Sequence, residues 1–128
     1  MIRDVFIITI IIILVIIGTI FTQNLLGENT DLLLKDLEKL EKNINENTQK
    51  EEIDKNASEI YSKWREISEK WSIIVDHQEI DLIEKALISV KSTIETEEYS
   101  RSLQKIQESK YLIGHIKEKE ELNIKNIF

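Results

Sequence analysis

The apolar residues form one unbroken run near the N-terminus and recur at spaced positions in the rest of the chain. The run, "VFIITIIIILVIIGTIF", extends from Val5 to Phe21 and contains no charge. As a helix it would cover about 26 Å, and the uncharged residues through Leu26 extend it beyond the ~30 Å hydrocarbon core of a bilayer. A domain this small cannot bury such a run on every side. The pattern therefore predicts a single transmembrane helix within residues 1–26.

A cleavable secretion signal is the alternative interpretation of this run. The apolar core of such a signal has only ~7–15 residues and is followed by a pair of small residues. The run here is longer, and the small residues Gly18 and Thr19 are each followed two places later by a large apolar residue. We therefore expect an uncleaved signal anchor.

The charges beside the run predict its orientation. Arg3 precedes it, whereas the first basic residue after it is Lys35. Because basic flanks stay in the cytoplasm, we expect a single-pass protein of the cell membrane with a cytoplasmic N-terminus and an extracytoplasmic C-terminal domain.

Beyond the run, apolar residues recur with the spacing of helices. The longest seam alternates steps of four and three residues and consists of Ile53, Ala57, Ile60, Trp64, Ile67, Trp71 and Ile74. The chain has no proline and only three glycines, so it lacks the turn residues of a β-fold. The pattern predicts an all-α protein. The expected helices lie near 30–46, 49–75, 77–95 and 97–121, followed by a short apolar tail, "NIKNIF".

Capping residues mark the expected helix starts. Thr48 and Glu51 fit the S/T-x-x-E capping box, in which each side chain satisfies a free backbone N–H of the first turn. Asp76 and Glu79 have the same spacing, with Asp as the N-cap. Thr96, followed by two glutamates, predicts a third start, because the helix dipole favours carboxylates there.

Short connections make the last three helices antiparallel neighbours, so residues 49–128, tail included, should form an antiparallel bundle of three to four helices. Residues 27–48 would be either its first helix or a helical stalk. The alternative is one long coiled coil that dimerises through the seam at 53–74. Two tryptophans on the seam favour the bundle, because their bulk fits poorly at paired positions of a two-stranded coil.

The charge and composition exclude several kinds of function. The net charge of −7 lies wholly beyond the apolar run, and such an acidic surface disfavours nucleic acid and anionic lipid. The absence of cysteine excludes disulfides and thiolate metal sites. The sequence also lacks a Gly-rich phosphate loop, an H-E-x-x-H motif and a G-x-S-x-G motif. We therefore expect neither an enzyme nor a cofactor.

The two tryptophans have two interpretations. As core residues, each would bury roughly 150–250 Å² against the facing helices. The expected structural core is then Ile53, Ile60, Trp64, Ile67, Trp71 and Ile74. As an exposed pair, the tryptophans would instead bind a peptide, a cell-wall sugar or a neighbouring membrane protein. Their place on the seam favours the core.

The two histidines are the candidate metal ligands. If the last two helices turn near Thr96, His77 lies opposite about residue 115, where the second histidine, His115, is found. Glu79, with Asp76 or Glu118, could complete a site for zinc or another transition metal. The simpler interpretation is that both histidines are polar residues near helix ends that bond caps and carbonyls.

Several short motifs together resemble a known family. Trp64 and Trp71 are seven residues apart, "DHQE" occupies 76–79 and "NIF" occupies 126–128, all behind a short N-terminal membrane anchor. In these features the chain resembles the domain of unknown function 4363 family, small proteins of clostridia and related Firmicutes. The resemblance implies a bacterial, membrane-anchored helical protein and carries over no catalytic residue.

Two functions remain open from the sequence. The first is a non-enzymatic anchored scaffold or accessory subunit whose bundle docks on another membrane or envelope protein, or on itself. The second is a small extracytoplasmic module that binds or senses a metal or ligand with the His77/His115 end of the bundle.

Overall fold

The part of the chain that the structure describes folds into four α-helices. The computed structural model describes residues 1–127, and of residues 123, 124, 126 and 127 it describes the backbone only. The helices are α1 (Ile2–Asn45), α2 (Lys50–Trp71), α3 (His77–Glu95) and α4 (Tyr99–Ile127). Over the described residues there is no strand, and the predicted all-α fold with an apolar N-terminal helix and an antiparallel bundle is confirmed.

The apolar run and the first bundle helix are one continuous helix. A separate helix is predicted near 30–46, and its predicted start is wrong, because α1 continues from Ile2 to Asn45 without a break. The chain before Leu26 is exposed or partly exposed, whereas Leu33, Leu37 and Leu40 are fully buried. This second half of α1 is therefore a bundle helix and not a free stalk.

The helices pack as a closed ring in which α1 contacts α2 and α4, and α3 contacts the same two helices. The chain thus folds back on itself instead of extending as one long coil.

The turns at 46–49 and 96–98 lie at one end of the bundle, called the distal end. The α2–α3 turn (72–76), Leu26 of α1 and Leu122 of α4 lie at the other, called the proximal end.

The predicted core seam is buried for most of its length. Ile53, Ala57, Ile60, Trp64, Ile67 and Trp71 all lie in the core. Ile74, the last predicted member, is only partly buried and packs against the core, and the neighbouring Val75 is buried. The reason is that α2 ends at Trp71, so helical spacing no longer determines which side chain points inward. The apolar side chains of the tail "NIKNIF" lie outside the described residues.

Both distal turns are Schellman motifs, which end a helix with one residue in the left-handed region. Asn47 has φ +53°, and the N–H of Thr48 donates to the carbonyl of Asn43 at 3.0 Å. The backbone N–H of Thr48 thus closes α1 and is not left for the Glu51 side chain, and α2 begins one residue later than the box requires. The predicted Thr48/Glu51 capping box is therefore wrong, and Gln49 is the N-cap without a side-chain bond.

The α3–α4 turn repeats this geometry. Glu97 has φ +58°, and the N–H of Glu98 donates to the carbonyl of Thr93 at 2.8 Å. The helix start predicted at Thr96 is wrong, because Thr96 is the C-cap of α3 and α4 begins at Tyr99. The Thr96 hydroxyl donates to the Glu98 carboxylate at 2.8 Å, and this bond, with Arg101, lowers the pKa of Glu98.

Replacing Glu97 with glycine should stabilise the protein. A side chain in the left-handed region costs about 1 kcal/mol, and glycine avoids that cost. Glu97→Gly also removes a negative charge from the carboxyl end of α3, where the dipole disfavours it. We expect a gain of about 0.5–1 kcal/mol in the free energy of unfolding, measured by denaturant titration in mild detergent. The control is Glu84→Gly, which removes the same side chain from the middle of α3 and should destabilise by a similar amount.

Asp76 caps α3 at the proximal end. Its Oδ1 accepts a hydrogen bond from the N–H of Gln78 at 2.9 Å. Glu79 does not complete the predicted capping box, because its carboxylate accepts a hydrogen bond from Lys119 of α4 at 3.0 Å. A residue expected to cap one helix instead joins two.

Candidate functional site

Trp64 and Trp71 meet in the core and have no exposed surface. Their rings are 5.8 Å apart between centroids and nearly perpendicular, the edge-to-face geometry that aromatic pairs prefer. Within the described residues neither indole N–H has a hydrogen-bond acceptor. Both tryptophans are thus placed to hold the bundle together and not to bind a ligand from solvent.

The structure does not bring the candidate metal ligands together. His77 and His115 are both exposed, and His115 stacks on the ring of Tyr111 at 6.0 Å between centroids. Glu79 is paired with Lys119. Over the described residues, no three His, Cys, Asp or Glu side chains form a group that could hold a metal ion.

The histidines are separated because the register of α3 and α4 differs from the expected one. The pair Glu79–Lys119 places His77 opposite about residue 121, and not opposite residue 115. Six residues of helix correspond to about 9 Å along the axis. The turn contributes to this shift, because the Schellman motif delays the start of α4 to Tyr99.

The ion pair at the proximal end has a third member that the sequence analysis missed. Glu120 is partly buried beside it, and burial raises the pKa of its carboxyl, as does the negative charge of Glu79; Lys119 opposes the rise. The same contact with Glu79 raises the pKa of Lys119. The run "KEKEE" in which Lys119 and Glu120 lie resembles a solvated face, so nothing in the sequence distinguishes them.

This cluster predicts a pH effect on stability. A carboxyl group with a raised pKa in the folded state binds its proton more tightly there than in the unfolded chain. The contribution of Glu120 to the free energy of unfolding therefore falls as the pH rises from the ordinary glutamate range through the raised pKa. Glu120→Gln should stabilise the protein at neutral pH, and its advantage should disappear near pH 4.

Thermal unfolding of both proteins across this pH range measures the difference. The matched control is Glu121→Gln, one residue further along and exposed. An advantage of Glu120→Gln that persists unchanged to pH 4, or an equal advantage for Glu121→Gln, would contradict the prediction.

The bundle has a small polar cavity and an open surface groove. A polar cavity of about 20 Å³, room for one water molecule, lies between α1 and α2 beside Asp36 and Asn56. An open groove of about 320 Å³ lies between α2 and α3, where the ammonium group of Lys91 is 5.4 Å from the ring centroid of Tyr61 and Ile88 forms part of the wall. Ser92 and Glu95 complete the lining of the groove.

The apolar half of α1 has the properties of a membrane span. Its most apolar 18 residues have a mean hydropathy of 3.1, and none of them is buried against the rest of the protein. By length and composition α1 can cross a membrane, and it is a candidate anchor. The apolar residues of a core helix in a soluble protein would be buried by the other helices.

A comparison with known families gives one match. The model of the family described as Domain of unknown function (DUF4363) matches residues 20–127. The chain belongs to this family. The resemblance seen in the sequence is thus confirmed. The match begins at the end of the apolar run and covers the whole bundle. No curated protein and no solved structure matches the chain.

Proposed function

We propose that this member of the DUF4363 family is a non-enzymatic protein anchored in the cell membrane by α1, and that its bundle is an accessory or scaffold subunit docking on another membrane or envelope protein. The observation that carries the proposal is the continuity of α1, from an uncovered apolar half into the buried half. Because the helix has no break, the bundle is held directly at the membrane.

The interior and the surface of the bundle support protein binding more than catalysis. The two tryptophans are used for packing, and Glu79 is used for an interhelix ion pair. In contrast, large apolar side chains are exposed on three helices: Leu32, Leu82, Ile88 and Tyr111. Such residues are available to a protein partner, whereas the acidic surface disfavours nucleic acid.

Affinity purification of the tagged full-length protein from native membranes, after mild cross-linking, tests docking. We expect one stoichiometric membrane or envelope protein, identified by mass spectrometry. The four exposed apolar residues are then replaced by glutamate one at a time, and loss of the partner identifies the docking face. Gln104→Glu, which adds the same charge at an exposed polar position of α4, is the control.

The histidines provide a second control. A His77→Ala, His115→Ala double variant should retain the partner, because neither histidine is part of the packing. Purification of the protein alone, or retention of the partner by all four glutamate variants, would contradict docking through these faces.

Orientation is tested separately with single cysteines, since the chain has none of its own. Ser100→Cys lies at the distal end and should react with a membrane-impermeant maleimide in intact cells. Ile2→Cys should react only after the cells are opened. The reverse pattern would place the bundle in the cytoplasm.

A further inference from the structure

Two large apolar side chains are exposed at the proximal end. Ile73, in the α2–α3 turn, is 85% exposed, and Leu122 of α4 is 59% exposed. They come from different parts of the chain, and neither is used by the core. Turns of soluble proteins are usually polar, so an isoleucine at the tip of one is unusual.

Interhelix ion pairs place both residues at one level along α1. The ammonium group of Lys63 is 2.7 Å from the carboxylate of Asp36, and α2 is antiparallel to α1. Ile73, ten residues after Lys63, is therefore level with about residue 26.

The α4 register gives the same level independently. Lys117 pairs with Asp31 of α1 at 3.5 Å. Leu122, five residues later on an antiparallel helix, is thus also level with about residue 26. The pair Lys119–Glu79 brings Leu122 opposite about residue 76 of α3, which is the end of the α2–α3 turn.

Bilayer dimensions show where this level would lie. Twenty residues of helix cross a hydrocarbon core of ~30 Å, so a span that begins at Val5 leaves the core near Asn24. Leu26 is then about 3 Å beyond the core. The headgroup layer on each side is about 5–7 Å thick. Leu26, and with it Ile73 and Leu122, falls inside that layer.

We propose that the proximal end of the bundle rests on the same bilayer that holds α1, with Ile73 and Leu122 inserted into the headgroup layer. The inference rests on the proposed membrane anchor. The occupant of these two apolar side chains is lipid and not a second protein, because they lie at the level where the apolar half of α1 ends. The depth is limited by Asp76, an exposed acid that follows Ile73 by three residues.

The consequence is a bundle attached to the membrane at three points instead of one. Contacts from α1, the α2–α3 turn and α4 would prevent the bundle from tilting freely about its anchor. The distal end, 19 residues further along α1, would be held about 29 Å above the proximal end.

Depth-dependent fluorescence quenching of the full-length protein tests the inference. The environment-sensitive fluorophore NBD is attached to single cysteines in Ile73→Cys, Leu122→Cys, Ile88→Cys and Val15→Cys. The proteins are reconstituted in vesicles of phosphatidylcholine with a large excess of lipid. In one set of vesicles some of the phosphatidylcholine carries a nitroxide close to the headgroup. In a second set it carries a nitroxide deep in the acyl chain, which is the quencher for position 15 near the middle of the span. Iodide serves as the quencher in water.

Ile88 is the matched control, because it is also an exposed apolar residue but lies on α3 well above the turn. We expect the lipid nitroxide to quench positions 73 and 122 at least about twofold more strongly than position 88, and iodide to quench them correspondingly less. Thermal unfolding of each variant verifies the fold.

The other outcomes distinguish the inference from the anchor itself. Lipid quenching at position 15, with positions 73 and 122 resembling position 88, would overturn the inference and leave the anchor intact. Protection of position 73 from iodide without lipid quenching would indicate a protein partner and also overturn it. Absence of lipid quenching at position 15 would overturn the anchor and the inference together.

Discussion

Trp64→Ala should lower the free energy of unfolding of the bundle by about 3–5 kcal/mol, the range for removing a fully buried large aromatic side chain. Trp64 has no exposed surface, and its ring also loses the edge-to-face contact with Trp71, worth about 0.5–1.5 kcal/mol beyond its area. In a bundle of about 100 residues this corresponds to a fall of more than ~10 °C in Tm. Thermal unfolding of the full-length protein in mild detergent, followed by circular dichroism, measures it.

Two further variants make this test specific. Trp64→Phe keeps a ring but removes the indole N–H, which has no acceptor among the described residues, so it should cost much less than alanine. Tyr111→Ala removes an exposed ring and should change stability by no more than ~0.5 kcal/mol. Unchanged stability of Trp64→Ala with loss of a binding partner would instead identify the tryptophans as a recognition surface.

Replacing Ile12 and Ile16 together with arginine should release the protein from the membrane. Both residues lie in the uncovered apolar half of α1. Each arginine near the centre of a span costs about 2.5–3.5 kcal/mol on insertion scales, and the favourable transfer of each isoleucine is lost as well. The two changes together cancel most of the insertion free energy.

Extraction with alkaline carbonate measures this release. The native protein should remain in the membrane pellet at its full mass, whereas the double arginine variant should move to the soluble fraction. The double leucine variant at the same positions is the control and should behave as the native protein does. A native protein that is soluble and shortened by about 20 residues would show that the run is a cleaved signal.

The helices and the core seam could be predicted because they depend on local pattern. Spacing of four and three residues identifies one face of a helix whatever it packs against, so the sequence by itself predicts a core position for Trp64 and Trp71. The apolar half of α1 was equally clear, since only composition and length decide whether a helix can span a bilayer.

The turns could not be predicted in detail, and the errors have one physical cause. Thr48 and Thr96 have the side chains of N-caps, but both belong to the Schellman motif that ends the preceding helix. Whether a threonine ends one helix or begins the next depends on where the following helix can pack. The spacing of the seam likewise fails after Trp71, where α2 ends, so that Val75 is buried and Ile74 only partly buried.

The sequence alone determined the kind of protein: a helical chain with one apolar span, an acidic exterior and a tryptophan-containing core. The tertiary structure decided which surface residues meet. The register between antiparallel helices separated His77 from His115, brought Glu79 to Lys119, and placed Ile73 level with Leu122. Register depends on turn geometry and on packing summed over whole helices, and an error of a few residues moves each contact by several ångströms along the axis.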